Sequence, residues 1–151
     1  MDVNNRVAVV GAGLIGRSWA IVFAAGGFDV ALYDVGGDIA EKARGVVAQG
    51  LSDLAEQGLV SDPQAAAARV RVAANLADAL DGADLVQESL PESVETKRSI
   101  FSELDRLAAP EAILASSTST IVASLFTAVF FTRLVFDLIY MGRRRLQTLS
   151  I

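Results

Sequence analysis

Three features of the 151-residue sequence predict an α/β fold built as a doubly wound parallel sheet. Short valine-rich runs alternate with longer helical stretches. Glycines follow the first run at positions 11, 13 and 16. An acidic residue, Asp34, closes the second run. Alternation of this kind places strands side by side and covers both faces of the sheet with helices.

Arg6 to Val10 is a short apolar run that ends at glycine and reads as a buried strand. Leu14 to Ala25 has helix formers at apolar spacing, and Gly26-Gly27 stops it. Phe28 to Asp34 is the second strand. Ile39 to Gln57 is helical, with Gly58 as its stop. Asp62-Pro63 reads as an N-cap followed by proline at the first helical position, opening a short alanine-rich helix. Val70 to Ala74 is the third strand, Asn75 caps a short helix to Leu80, and Asp81-Gly82 is a turn. Ala83 to Glu88 is the fourth strand. A helix over Ser93 to Ala108 follows Leu90-Pro91, and Ala112 to Ser116 is the fifth strand. Ser116 to Thr120 is a polar loop. Trp19 and Tyr33 read as core or half-buried packing.

Composition narrows the function. Apolar residues make up 52% and charged residues 21%, which excludes a disordered chain. There is no cysteine, hence no disulfide, zinc-thiolate site or cysteine nucleophile, and a reducing, cytoplasmic setting fits. There is no histidine either. A Ser-His-Asp triad, a histidine general base and a histidine metal ligand are all ruled out, and no metal is expected. The net charge of −5 argues against nucleic acid as a partner. Met1 to Asn5 lacks the basic stretch of a secretory signal.

Gly11-Ala12-Gly13-Leu14-Ile15-Gly16 carries the strongest chemical signal, because it lies between a strand and a helix. Gly11 allows the tight turn, Gly13 lets backbone approach a pyrophosphate, and Gly16 lets the helix pack close to the sheet. Free N–H groups of Leu14 and Ile15 then face the phosphates at the positive end of the helix dipole. Asp34, 18 residues after Gly16, is placed to accept hydrogen bonds from the adenosine ribose and to repel a 2′-phosphate. No arginine follows it in Val35-Gly36, so NAD is expected over NADP.

The run Glu88-Ser89-Leu90-Pro91-Glu92 leaves the end of the fourth strand, and Lys97 lies about one turn into the next helix. Two readings stand for Glu92 and Lys97: contacts to a cofactor hydroxyl or substrate, or an acidic helix start with a solvated basic face. The hydroxyls of Ser116 to Thr120 could bind a nicotinamide amide or a substrate oxygen, or cap the next helix.

The segments VAVVGAGLIGRSWAIVFAAGGFDVALYD, QESLPESVETKRSIFSELD and ILASSTSTI together resemble the Rossmann-type NAD-binding half of the 3-hydroxyacyl-CoA dehydrogenase family. GLIGRSWA with SSTST is most similar to its branch of L-gulonate 3-dehydrogenases and lambda-crystallins. The resemblance covers about residues 5 to 127. It implies NAD as cofactor and a small 3-hydroxy acid or hydroxyacyl-CoA as substrate, oxidised at the 3-hydroxyl. It implies cofactor contacts at Gly11 through Gly16, Asp34, Glu92 and Lys97. It also gives Ser119 a place beside the nicotinamide and the substrate oxygen, as a cofactor contact and candidate catalytic residue. Intact members form homodimers.

The chain departs from that pattern after Thr127. The family continues to a strand and a His-Pro motif whose histidine is the general base, and then to a helical domain that closes over substrate. Residues 128–151 match none of this. Residues 1–127 carry a net charge of −8 and residues 128–151 a net of +3, with four of the ten aromatic residues. The expected organisation is a dinucleotide-binding domain over 1–127 and an atypical apolar and basic tail over 128–151, with the family's helical domain absent. Such a break resembles translation in a shifted reading frame or an altered gene end. Ile121 to Met141 is long and apolar enough to span a bilayer, but Arg133 and Asp137 near its middle are costly in hydrocarbon, and a membrane anchor is disfavoured. The expected behaviour is NAD binding with very slow turnover or none. A non-catalytic NAD-binding module is the alternative.

Overall fold

The computed structural model describes residues 5–91 and 93–117. Strands and helices alternate as β1 (Arg6–Val10), α1 (Leu14–Ala25), β2 (Asp29–Tyr33), α2 (Gly37–Glu56), α3 (Pro63–Ala68), β3 (Val70–Val72), α4 (Leu76–Leu80), β4 (Leu85–Glu88), α5 (Val94–Leu107) and β5 (Ile113–Ser116). The strands form one sheet in the order β3-β2-β1-β4-β5, and every pairing is parallel.

Strand β1 lies at the centre, which explains its unbroken Val-Ala-Val-Val run. Side chains alternate between the faces of a strand, so a strand covered on both faces must be apolar at every position. Val7 and Val9 enter one core with Ala20 and Ala24 of α1 and Val47 and Leu51 of α2. Ala8 and Val10 enter the other with Leu76 and Leu80 of α4 and Leu104 of α5. Val7 through Val10 are essentially inaccessible, and only Arg6 at the start of β1 is exposed.

The helix starts follow local chemistry. Asp62 Oδ1 accepts the Ala65 N–H at 2.9 Å, with Pro63 opening α3. Asn75 Oδ1 accepts the Asp78 N–H at 2.8 Å, and Ser93 Oγ accepts the Thr96 N–H at 3.3 Å. Each cap satisfies an N–H that has no partner inside its helix.

Some boundaries move from the sequence reading because neighbours set them. Strand β3 is three residues long, paired with β2 only from Val30 to Leu32. Strand β4 starts at Leu85 because the Ala83 N–H still closes the preceding turn on the Leu80 carbonyl, at 3.1 Å. Trp19 is 37% exposed, and its indole makes a polar contact that a packing role does not require. Among the described residues no helix is long and apolar enough to cross a membrane. Residues 121–141 and the expected break near 127 lie outside the described residues.

At the start of α4, the Arg71 guanidinium lies 3.0 Å from both oxygens of Asp78, and the Ala74 N–H donates to Asp78 Oδ2 at 2.7 Å. The Ala74 N–H first, and the Arg71 guanidinium second, hold the Asp78 carboxyl below its ordinary value of 3.8. A carboxylate lowered on folding stabilises the fold above its unfolded pKa and stops doing so as pH falls through the folded one. The stability advantage of the wild type over Asp78→Asn is therefore expected to be full at neutral pH and to shrink below about pH 4. Urea denaturation of both proteins across pH 2.5 to 7 checks this. An advantage independent of pH would refute it.

Candidate dinucleotide site

The site forms where the sheet changes winding direction. From β1 the chain crosses to β2 on one side, while β4 pairs on the other, which leaves a crevice beyond the carboxyl ends of the strands. Tyr33, Val10, Glu88 and Ser116 lie side by side across that end of the sheet. The residues immediately after them, Asp34, Gly11, Ser89 and Ser117, line its rim.

The glycine loop owes its shape to close backbone contacts. Gly11 has φ +100°, a conformation that L side chains rarely adopt, and its N–H donates to the Tyr33 carbonyl at 2.8 Å. A Cβ on Gly11 would meet the Ser89 carbonyl carbon and oxygen at 2.8 Å. A Cβ on Gly16 would fall on the carbonyl oxygen of Gly11. Gly13 differs, because a Cβ there would meet nothing within 4 Å. Gly13 is the N-cap of α1 and brings no side chain to cap it, and the first turn holds no acidic residue. The positive end of a 12-residue helix thus opens beside free space, a setting suited to an anion. Leu14 and Ile15 are 65% and 46% exposed.

Asp34 closes the loop from the β2 side. Its Oδ2 accepts the Ala12 N–H at 2.8 Å, and its Oδ1 accepts the Gly36 N–H at 3.1 Å. Each carboxylate oxygen can accept a further bond, so the partly exposed Asp34 can hold the loop and still receive ribose hydroxyls.

On the β4 side the structure builds a cluster that the sequence only hinted at. Glu88 is fully buried. Its Oε1 accepts the Leu90 N–H at 2.6 Å. Its Oε2 accepts from Lys97 Nζ at 2.7 Å and from Ser116 Oγ at 2.5 Å. Lys97 Nζ also reaches Ser116 Oγ at 3.2 Å and the Ser117 carbonyl at 3.3 Å. With its side chain only 19% exposed, Lys97 is no solvated surface charge. Beside it, Ser117 Oγ accepts from Gln87 Nε2 at 2.8 Å and from the Trp19 indole at 3.0 Å, tying α1 to the end of β5.

The structure thus brings Gly11 through Gly16 and Asp34 together, and places Lys97 across the crevice at the ends of β4 and β5. Glu92 and Ser119 lie outside the described residues. The sequence reading placed Glu88 in the run that leaves the fourth strand but gave it no role, and it missed Gln87 and Trp19 as members of this region. An acid closing β4, a strand buried along its last three residues, was the signal that could have found Glu88.

A winding reversal, a glycine loop opening a helix and an acid on the next strand define a dinucleotide-binding α/β domain of Rossmann type. The chain belongs to the 3-hydroxyacyl-CoA dehydrogenase, NAD binding domain family, whose model matches residues 6–133. It is 39% identical over 127 residues to a lambda-crystallin homolog of Rattus norvegicus, covering 82% of this chain and 40% of that one. It is 36% identical over 125 residues to a probable 3-hydroxybutyryl-CoA dehydrogenase of Deinococcus radiodurans, covering 82% and 45%. Among solved structures, the (S)-3-hydroxybutyryl-CoA dehydrogenase of Ralstonia eutropha superimposes with a TM-score of 0.70 at 29% identity, covering 78% of this chain and 42% of that one. The chain therefore spans less than half the length of these relatives.

The glycine contacts give opposite expectations for two similar substitutions. Gly16→Ala is expected to cost about 3 kcal/mol or to prevent folding, because the Gly11 carbonyl must move. Gly13→Ala is expected to cost no more than about 1 kcal/mol, since its Cβ points into open space. Urea midpoints of the two variants decide this, and equal losses would contradict it. Ser89 Oγ is buried with no hydrogen-bond partner among the described residues. Ser89→Ala is accordingly expected to leave stability unchanged or raise it by up to about 1 kcal/mol, and a loss in thermal denaturation would refute this.

Proposed function

We propose that this chain binds NAD in the crevice, with the pyrophosphate against Gly11 through Gly16 and the adenosine ribose on Asp34. The open space at Gly13, beside a helix end that no side chain caps, carries this reading. The N–H groups of Leu14 and Ile15 would face the phosphates, and the helix dipole would favour their charge. The nicotinamide half would then extend over β4 and β5 toward Lys97. Glu92 and Ser119 are proposed as further contacts there on the strength of the family resemblance.

When bound, NAD supplies a hydride acceptor for a carbon that carries a hydroxyl group. The substrate class proposed for an intact relative is a 3-hydroxy acid or a hydroxyacyl-CoA. Such a reaction needs a group to take the hydroxyl proton, and this chain contains no histidine to do so. Ser119 can donate or accept a hydrogen bond at the substrate oxygen, but it does not replace a base with a pKa near neutrality. The chain by itself is therefore proposed to bind the cofactor and to turn substrate over very slowly or not at all. A cytoplasmic setting is proposed from the lack of cysteine.

Calorimetric titration tests the binding. NADH is expected to bind at least about tenfold more tightly than NADPH, because Asp34 opposes a 2′-phosphate. Comparable dissociation constants for the two would sink the assignment of Asp34. Folded Gly13→Ala is expected to lose at least about tenfold in NADH affinity, since its Cβ enters the space assigned to the phosphates. For turnover, NADH formation from L-gulonate or 3-hydroxybutyryl-CoA is expected to stay at background. Robust formation would overturn the proposed impairment.

A further inference from the structure

We infer that Glu88 is a positioning residue for the nicotinamide half of the dinucleotide, acting through Lys97 and the Ser116-Ser117 backbone. This rests on the NAD-binding reading proposed above.

Lys97 is the side chain on this side of the crevice with the charge to meet a ribose hydroxyl or a substrate oxygen. An ammonium has three donors, and Lys97 uses them on Glu88 Oε2 at 2.7 Å, Ser116 Oγ at 3.2 Å and the Ser117 carbonyl at 3.3 Å. The short, charge-assisted bond is the one to Glu88. The two longer bonds are those that an incoming oxygen can draw away. Lys97 therefore reaches a ligand by giving up a weak contact while Glu88 keeps the ammonium in place. Without that anchor the charge sits on a four-carbon stem with free rotation, and ordering it on binding costs affinity.

Glu88 is itself over-determined. It is fully buried, and its two oxygens take the Leu90 N–H, the Ser116 hydroxyl and the Lys97 ammonium. A buried ion pair is a poor source of net stability, and well-packed apolar residues serve a core as well or better. What the pair does supply is geometry. It joins the first residues after β4, the first turns of α5 and the end of β5 at one point. The Ser117 carbonyl that Lys97 holds is the last described group before the hydroxyl-rich run 118–120. Asp34 follows β2, across the winding reversal, and its hydrogen bonds go to Ala12 and Gly36 rather than to this cluster. The adenosine half of a dinucleotide is therefore independent of Glu88, and the other half is not.

The experiment compares binding of NADH and of ADP, which lacks both the nicotinamide and its ribose, by calorimetry on the full chain. The variants are Glu88→Gln, Lys97→Met, Ser116→Ala and the Glu88→Gln/Lys97→Met double variant. Glu88→Gln and Lys97→Met are each expected to weaken NADH about tenfold, on the scale of a lost charged hydrogen bond, and to leave ADP within about twofold. The double variant is expected to match the weaker single rather than the product of both losses, since the residues act as a unit. Ser116→Ala removes only a hydroxyl, keeps the test available if a charge variant does not fold, and is expected to weaken NADH about threefold. Unchanged NADH affinity, or equal losses for NADH and ADP, would overturn the inference while leaving the binding site intact. Wild-type chain that binds neither ligand would overturn the underlying reading as well.

Discussion

The close passage of α1 beneath the glycine loop is the contact on which the rest of the structure depends. Gly16 lies so near the Gly11 carbonyl that no Cβ fits between them. That approach sets where α1 leaves the sheet, and so where Ala20 and Ala24 meet Val7 and Val9 in the core. It also aims the start of α1 at the crevice. One backbone contact thereby fixes both packing and the direction of the helix dipole.

Two acids extend that control across the sheet end, and they do so differently. Asp34 is partly exposed and takes backbone N–H groups from both flanking loops, which leaves lone pairs free for a ligand. Glu88 is fully buried and saturated by the protein. The first is suited to touching a ligand, and the second to holding the groups that do. Ser117 adds a third tie, accepting from Trp19 and Gln87 and so linking the glycine-loop helix to the far strands.

How much of this was legible follows from how far apart the interacting residues lie. Helix α1 was placed to the residue because its signals, a glycine turn before it and Gly26-Gly27 after it, are local. The caps at Asp62 and Asn75 are also local, each acting three residues on. Strand lengths were less legible, because β3 ends where its pairing with β2 ends. Within the site, the glycine loop and Asp34 were readable from spacing. The partners of Lys97 were not, since Glu88 lies 9 residues away and Ser116 lies 19. Trp19 and Ser117 are 98 residues apart, and no local pattern joins them.

The sequence by itself determined the alternation of elements, the parallel sheet and the dinucleotide loop, because periodicity and glycine spacing act over one turn or one strand. It also determined that this chain has no histidine to serve as a base. Only the tertiary structure decided that Lys97 turns inward and that Glu88 is the residue which holds it. Burial decides that outcome. In water a glutamate and a lysine nine residues apart have little hold on each other, whereas a carboxylate excluded from solvent at the end of β4 must find every donor within reach.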